Sequence, residues 1–438
     1  MMGVLLVLGF DLERGQYAYP MPGYYALSGS FGELRSNHFH SGLDIKTGGQ
    51  SGAPVVAIED GYVSRINVSP YGYGKAVYLR HADGKYSVYA HLSRFADTLQ
   101  SLVYAQQRKT EQYTQEMYLR KHALVFKKGE LLGYSGNSGS SLGPHLHFEI
   151  RDSAERILNP IPWFKKELPD NRPPIVQEVA FEPLGPTARI AGEHRFYSKW
   201  VEGGNGQYRL PGVLEVYGPV GLLYRAYDLL DNAGNHCGIN TAHLYLDDSL
   251  IYAFDLQRFD FDETRYINLH LAYPFTLHPP KKSYQRAFVE QGNAFSGIRF
   301  HRRRGIIELT DGQVHDFCLE LIDSHGNRTL LSGKLKRKAP PLVSVPFDYA
   351  GTSRLSYQLQ RDLLRIDITN PKKIHAQGIY YETLTGTQHK LLPAYRKGNQ
   401  LVFLLQLDSL HLPRRLFDAS GNLQEQLPAW TLALPDRP

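Results

Sequence analysis

The segment at residues 145–150, which reads HLHFEI, constrains the fold of this chain more than any other stretch. Successive side chains of a β-strand point to opposite faces of the sheet, so residues two apart share a face. In a strand, His145, His147 and Glu149 therefore face one way and the three intervening apolar residues face the other way. The apolar set can pack in a core while the polar set faces a cleft. Taken alone, the segment fits two surface histidines on a half-exposed strand equally well.

Composition indicates a multidomain, mainly β protein. The chain has 438 residues, of which 42% are hydrophobic and 21% charged, the proportions of an ordinary globular protein. Its 29 Tyr, 40 Gly and 26 Pro favour many short strands joined by turns. The net charge of +6 is modest and mildly favours an anionic partner such as a bacterial cell wall. Basic runs interleaved with aromatic residues are absent from the sequence, so we expect no nucleic-acid partner.

The first ten residues, MMGVLLVLGF, have the length of a signal-peptide apolar region and are too short to cross a bilayer as a helix. They lack a basic start and a clear cleavage site. We therefore expect residues 1–20 to be an apolar leader, a truncated or misplaced start of a secretory signal; a buried first strand is the alternative. No later stretch is apolar enough to predict a transmembrane segment.

The rest of the chain divides at proline-rich segments. Strand patterns and one helical stretch, around residues 95–119, fill a first domain at 21–165, and ELPDNRPP follows it. Beyond that point the pattern is β throughout, and a second linker, KRKAPPL, lies near residue 340. A D-x-x-G-N element recurs at Asp231, Asp323 and Asp418 and suits tight turns between strands. We expect a β-sandwich region at 170–338, as one large or two small modules, and a C-terminal β-sandwich at 339–438.

Two cysteines, Cys237 and Cys318, leave a disulfide undecided. Cys318 falls on the polar face of its predicted strand, which argues against a bridge in the core. No Cys-x-x-Cys pair is present in the sequence, so a thiolate metal site is excluded.

A second polar cluster precedes the HLHFEI strand. His40 and Asp44 lie four residues apart in HSGLD, and His91 ends a predicted hairpin strand on which Tyr89 shares its face. Two histidines and one carboxylate form a three-ligand zinc set that leaves one position open for catalysis. His40, Asp44 and one histidine of the HLH pair supply such a set. The remaining histidines are candidates to accept a proton and stabilise an oxyanion.

With these motifs in place, residues 28–160 resemble the lysostaphin-type zinc endopeptidases, which cleave peptide cross-bridges of peptidoglycan. The matching segments are SGSFGELRSNHFHSGLD, VYAHL and GNSGSSLGPHLHFEI. The resemblance implies a lysostaphin-like antiparallel β-sheet peptidase domain with a helical insertion. The D-x-x-G-N elements recur at spacings of 92 and 95 residues, near the length of an immunoglobulin-like sandwich, and predict that immunoglobulin-like β-sandwich domains follow. The resemblance also assigns His40, Asp44 and His147 as ligands of one zinc ion, His145 as the general base and His91 as the second catalytic histidine.

Further expectations follow from this resemblance. Asn37 and Tyr89 are candidate substrate-binding residues, and the helical insertion is either a lid over the groove or a peripheral addition. The predicted function is hydrolysis of peptidoglycan stem peptides or cross-links by an exported protein of the bacterial periplasm or envelope. The C-terminal β domains are expected to bind an envelope partner, to position the enzyme or to gate it. The alternatives are a non-catalytic wall-binding or activator protein and a β-sandwich adhesin with a relic enzyme domain.

Overall fold

The computed structural model describes residues 17–231, 234–272, 282–340, 343, 349–360, 362–407, 412–421 and 423–427. Residues 1–16 of the predicted leader therefore lie outside the described residues. Tyr17 and Tyr19 already pack in the core of the first unit, with 7% and 5% of their surface exposed. The expected mainly β architecture is confirmed.

The first unit is a strongly bent antiparallel sheet. Its main strand order is β1-β4-β13-β8-β7-β6-β10, and β5, β12 and β9 form a small second sheet. The strands are β1 Leu27–Gly29, β2 Leu34–Arg35, β3 His38–Phe39, β4 Leu43–Lys46, β5 Pro54–Val56, β6 Gly61–Val68, β7 Lys75–His81, β8 Tyr86–Ala90, β9 Arg94–Phe95, β10 Gln115–Tyr118, β11 Val125–Phe126, β12 Leu131–Tyr134, β13 His145–Arg151 and β14 Ile157–Leu158.

The predicted helical stretch is only partly helical. Helix α1 spans Asp97–Thr110 and ends where Glu111 adopts a left-handed backbone conformation. The following residues, expected to continue the helix, instead form β10, which pairs with β6. Helix α1 buries Leu99 and Val103 against the first unit and contributes no residue to the cleft described below, so the lid expectation is wrong.

The second unit contains two sheets, ordered β17-β15-β20-β24 and β16-β19-β27-β26-β21-β22-β25. The strands are β15 Ile175–Pro183, β16 Arg189–Ile190, β17 Tyr197–Trp200, β18 Glu202–Gly204, β19 Gln207–Tyr217, β20 Val220–Tyr227, β21 Thr241–Leu246, β22 Ser249–Asp255, β23 Arg258–Phe259, β24 Gln285–Arg286, β25 Ile298–His301, β26 Val314–Ile322 and β27 Arg328–Arg337. Between β23 and β24 lie a 3-10 helix, Phe261–Tyr266, and helix α2, Ile267–His270. Short 3-10 turns also occur at Ile161–Trp163 and Arg303–Gly305.

A third unit contributes two four-stranded sheets, ordered β28-β29-β33-β32 and β31-β30-β34-β35, with their own apolar core. Its elements are β28 Arg354–Gln360, β29 Leu363–Thr369, helix α3 Lys373–Ala376, β30 Ile379–Thr383, β31 Gln388–Leu391, β32 Tyr395–Lys397, β33 Gln400–Gln406, β34 Pro413–Phe417 and β35 Gln424–Gln426. None of the helices in the part of the chain that the structure describes has the length and apolar character needed to cross a bilayer.

Two of the three D-x-x-G-N elements behave as expected. The element at Asp323 joins β26 to β27 and that at Asp418 joins β34 to β35, each pair being antiparallel neighbours. The element at Asp231 lies on the connection from β20 to β21, which belong to different sheets, and is flanked by an isolated antiparallel bridge between Asp228 and Cys237. Cys237 and Cys318 are both free.

The first two units are physically continuous. Strand β23 of the second unit pairs with β14, which extends the sheet of the first unit across the boundary. The Phe259 ring packs 5.4 Å from the Phe31 ring and 6.0 Å from the Phe39 ring, measured between centroids. Phe31, Phe39 and Ile157 thereby belong to the core of the second unit.

We predict that Phe259→Ala lowers the free energy of unfolding by about 3–5 kcal/mol, because Phe259 is 1% exposed and its removal leaves a cavity between two units. Chemical denaturation followed by tryptophan fluorescence and circular dichroism measures this change. Phe300→Ala is the matched control, since Phe300 is 44% exposed, and we expect it to change stability by less than about 0.5 kcal/mol. Equal effects of the two variants would contradict a shared core.

Candidate metal centre and active site

Strand pairing brings the three predicted ligands together. Strand β13 lies between β4 and β8, and its His147 stands directly opposite Asp44 on β4. His40 is the first residue of the connection that leads from β3 into β4. His40 Nε2 lies 3.1 Å from Asp44 Oδ1 and 3.2 Å from His147 Nδ1, and His147 Nδ1 lies 2.9 Å from Asp44 Oδ1. All three side chains are buried.

The donor set fits a zinc ion. Zinc–nitrogen bonds of about 2.0–2.1 Å place tetrahedral ligand atoms roughly 3.3 Å apart, close to the three distances here. His40 Nδ1 donates to the Ser30 carbonyl at 2.8 Å, so a neutral His40 presents the lone pair of Nε2. His147 Nε2 donates to Glu149 Oε1 at 2.8 Å, so a neutral His147 presents the lone pair of Nδ1. Two lone pairs and one carboxylate oxygen therefore converge on a single point, an arrangement that a cation stabilises.

Glu149 is the residue that orients His147. Its side chain is completely buried and also accepts hydrogen bonds from Ser41 Oγ and the Tyr73 hydroxyl. Arg151, two residues along the same strand, donates to Glu149 Oε2 from Nε at 2.8 Å. Burial alone would raise the pKa of Glu149, but the Arg151 guanidinium and the hydrogen bond from His147 hold that pKa well below its usual range. A buried carboxylate of this kind fixes the tautomer of a metal-binding histidine.

The two carboxylates beside His147, Asp44 and Glu149, change the pKa of its imidazole. Burial by itself lowers the pKa of this imidazole, but the hydrogen bonds to Asp44 and Glu149 raise it to about 9. The position between the two carboxylates therefore favours a positive charge. Arg35 offsets part of the Asp44 charge by donating from Nη2 to Asp44 Oδ2 at 3.1 Å, and this contact leaves Oδ1 facing the histidines.

His145 and His91 lie beside the ligand set, as the sequence predicted. His145 Nδ1 donates to the Gly143 carbonyl at 2.8 Å, and its Nε2 lies 3.4 Å from Asp44 Oδ1. His91 Nδ1 donates to the Ser138 carbonyl at 2.8 Å, and its ring centroid lies 4.9 Å from that of His145. Burial lowers the pKa of His91 to about 4 and keeps it neutral. The neutral His91 ring therefore has an unprotonated Nε2.

Tyr89 does not line the groove, and this expectation is wrong. The side chain is completely buried against Phe148, and its hydroxyl accepts hydrogen bonds from Ser87 Oγ and the Ile58 amide. The reason is local backbone geometry: His91 has a φ of 59°, which breaks the strand alternation after Ala90. Tyr89 and His91 consequently face opposite sides.

The histidines open onto a cavity of about 960 Å³. Its described lining includes Arg35 and His38, while Asn37 occupies the exposed turn between them, so substrate binding by Asn37 stays a prediction. One wall is the Gly/Ser loop at residues 140–144. Another wall comes from Phe261 and Thr264 of the second unit.

Sequence reasoning missed this contribution from the second unit. Thr264 Oγ1 accepts a hydrogen bond from the Phe39 amide at 2.9 Å, next to the candidate ligand His40. Phe261 receives the Arg151 guanidinium over its ring at 4.7 Å from the centroid. No sequence spacing links residues about 225 positions apart, so only the fold reveals them. Tyr73 was also missed, although its place in a Gly-Tyr-Gly turn near the hairpin was a usable signal.

The region that contains His40, Asp44 and His91 is similar to a known protein family. Residues 38–110 match the model of peptidase family M23. The resemblance to lysostaphin-type endopeptidases is thereby confirmed.

Three curated relatives illustrate the match. An uncharacterized metalloprotease of Haemophilus influenzae is 33% identical over 159 residues, covering 35% of this chain and 28% of that protein. The DD-carboxypeptidase/endopeptidase Mpg of Neisseria meningitidis is 30% identical over 154 residues, covering 34% and 29%. The peptidoglycan DD-endopeptidase ShyA of Vibrio cholerae is 27% identical over 148 residues, covering 32% and 28%. The chain therefore spans under a third of the length of these relatives.

We predict that Glu149→Gln weakens zinc affinity by about 10–100-fold, because the neutral amide no longer holds the tautomer of His147. The change also leaves Arg151, whose side chain is 5% exposed, without its buried counter-charge. Competition with a fluorescent chelator measures the affinity. Glu155→Gln is the control, because Glu155 is the other carboxylate near Arg151 but is 59% exposed. Equal affinities of the two variants would argue against the orienting role.

Gly42, between the ligands His40 and Asp44, permits close strand approach. A Cβ at this position would lie 2.2 Å from the Phe148 carbonyl oxygen on β13. We predict that Gly42→Ala separates β4 from β13, lowers stability by about 1–3 kcal/mol and weakens zinc binding. Thermal unfolding with and without zinc tests this, with Gly312→Ala as control because a Cβ there meets nothing within 4 Å. Normal zinc stabilisation of Gly42→Ala would contradict the prediction.

Proposed function

We propose that this protein is a zinc-dependent endopeptidase that hydrolyses stem peptides or peptide cross-links of bacterial peptidoglycan. The observation that carries the proposal is the convergence of His40 Nε2, Asp44 Oδ1 and His147 Nδ1 on one point beside His91 and His145. The M23 match supports a peptidase, and two of the relatives are named as endopeptidases. A binding or regulatory protein has no need of proton-accepting histidines next to a metal set.

The chain's own residues supply most of the chemistry. His40, Asp44 and His147 would hold the zinc ion, which when bound polarises the scissile carbonyl and lowers the pKa of a water molecule. His145 accepts the proton of the attacking water at Nε2, because Nδ1 is committed to the Gly143 carbonyl. His91, which burial keeps neutral, positions the water by accepting a hydrogen bond at Nε2, and it stabilises the developing oxyanion only once that nitrogen carries a proton.

The cavity suits an extended, carboxylate-bearing peptide. Arg35 and Lys46 place positive charge in its lining, and Leu142, Pro144 and Phe261 provide apolar surface. Leu142 is fully exposed and is therefore available for contact with substrate. Stem peptides of peptidoglycan carry free carboxylates and small aliphatic side chains, which match both features.

Export follows from this substrate, since peptidoglycan lies outside the cytoplasm. We propose the periplasm or cell envelope as the location. The exposed surfaces of the second and third units are proposed to bind an envelope partner. Phe261 and Thr264, however, give the second unit a direct part in the cleft.

We predict that His145→Ala reduces hydrolysis by about 10²–10⁴-fold while leaving one zinc equivalent in the cleft, since His145 transfers a proton and does not bind the metal. His147→Ala should lose both activity and that zinc. The assay uses purified protein on isolated sacculi of several wall types, with soluble muropeptides identified by mass spectrometry and zinc measured by elemental analysis.

Chelator treatment and zinc addition provide the controls. Release of muropeptides should stop after chelation and return with zinc. Sacculi that remain intact with the zinc-loaded wild-type protein, across all wall types, would support a non-catalytic wall-binding role instead. Equal activity of His145→Ala and the wild type would remove His145 from the mechanism.

A further inference from the structure

A second group of potential metal ligands lies at the junction of the first and second units. Asp170 belongs to the linker that precedes β15, while Asp323 and His325 belong to the turn between β26 and β27. One donor atom from each of these three residues lies within 4.8 Å of the other two. All three side chains are buried: Asp170 is 0% exposed, Asp323 4% and His325 6%.

His325 points an unpartnered nitrogen into this group. Its Nε2 donates to the Leu168 carbonyl at 2.7 Å, so the neutral ring carries a lone pair on Nδ1. Nδ1 has no hydrogen-bond partner among the described residues and lies 3.7 Å from Asp170 Oδ2. A buried lone pair directed at a carboxylate is unfavourable unless a cation lies between them.

The surrounding charges reinforce this need for a cation. Asp228 is 3% exposed, and its Oδ1 also lacks a hydrogen-bond partner among the residues described. In the described part of the chain, no Lys or Arg forms an ion pair with Asp170, Asp228 or Asp323.

The hydrogen bonds that exist in the cluster leave its donor atoms available. Asp323 Oδ1 accepts the amides of His325, Gly326 and Asn327, which fixes the turn. Asn327 Nδ2 donates to Asp323 Oδ2 at 2.8 Å. These contacts preorganise the carboxylate without neutralising it: Oδ1 is fully used by the three amides, and Oδ2, which accepts one hydrogen bond, retains a second lone pair for a cation.

We propose that Asp170, Asp323 and His325 Nδ1 bind a second, structural divalent cation of the zinc class, with Asp228 as a further carboxylate facing it. Imidazole nitrogen together with carboxylate oxygen favours zinc or a similar transition metal over calcium or magnesium. The cation joins the linker of the first unit to the turn of the second. It therefore fixes the orientation of the unit that supplies Phe261 and Thr264 to the cleft.

The test uses the full chain carrying His40→Ala and His147→Ala, which removes the ligands of the cleft. We expect this background to retain about one zinc equivalent after dialysis, and zinc to raise its midpoint temperature of unfolding by several degrees over the chelated form. Adding Asp170→Asn or His325→Gln should abolish both effects. Glutamine keeps a donor for the Leu168 carbonyl, and asparagine keeps the shape of the aspartate, so both variants are designed to fold.

Two controls separate this site from adventitious binding. His122→Gln changes an exposed loop histidine, and Asp231→Asn changes an exposed aspartate at the edge of the cluster; both should keep the zinc equivalent. Circular dichroism of the chelated Asp170→Asn variant should match that of its background and show that zinc loss is not unfolding. A background protein without stoichiometric zinc, or zinc that survives both Asp170→Asn and His325→Gln, would overturn the proposal.

Discussion

The candidate site depends on one buried carboxylate. Glu149 holds a negative charge with its side chain completely excluded from water, which is unfavourable unless that charge is fully compensated. Arg151 supplies the positive charge and His147, Ser41 and Tyr73 supply hydrogen bonds. Because His147, Glu149 and Arg151 alternate on one strand, the sheet that buries Glu149 also aims His147. Metal-ligand geometry and folding are therefore set by the same contacts.

The same strand explains how far sequence could predict the site. Alternation along residues 145–150 correctly placed two histidines and Glu149 on one face, and the three apolar residues between them are buried. Gly42 in HSGLD is also explained by local sterics, since only a residue without Cβ fits against β13 at that point. These features depend on local periodicity and sterics, which sequence records directly.

Other features depended on backbone detail or long-range packing, which sequence records poorly. Tyr89 was misplaced because a single left-handed residue, His91, ends the alternation. The stretch after Thr110 was expected to be helical because it lacks Gly and Pro, but pairing with β6 outweighs its helix propensity. The wall formed by Phe261 and Thr264 required the fold itself. The recurring D-x-x-G-N pattern predicted only turns. The copy that starts at Asp323 also places a buried carboxylate at the junction of the first and second units.

The shared aromatic core between the first two units has a practical consequence for protein engineering. A first unit that resembles a known peptidase family invites use as an interchangeable part in chimeric proteins. Cutting this chain after the first unit would bare Phe31, Phe39 and Ile157 together, and would free the outer edge of β14 for intermolecular strand pairing. A transplanted fragment would thus expose an apolar surface prone to aggregation. It would also lose the wall of the cleft that Phe261 and Thr264 form. The smallest portable piece of this protein includes its second unit.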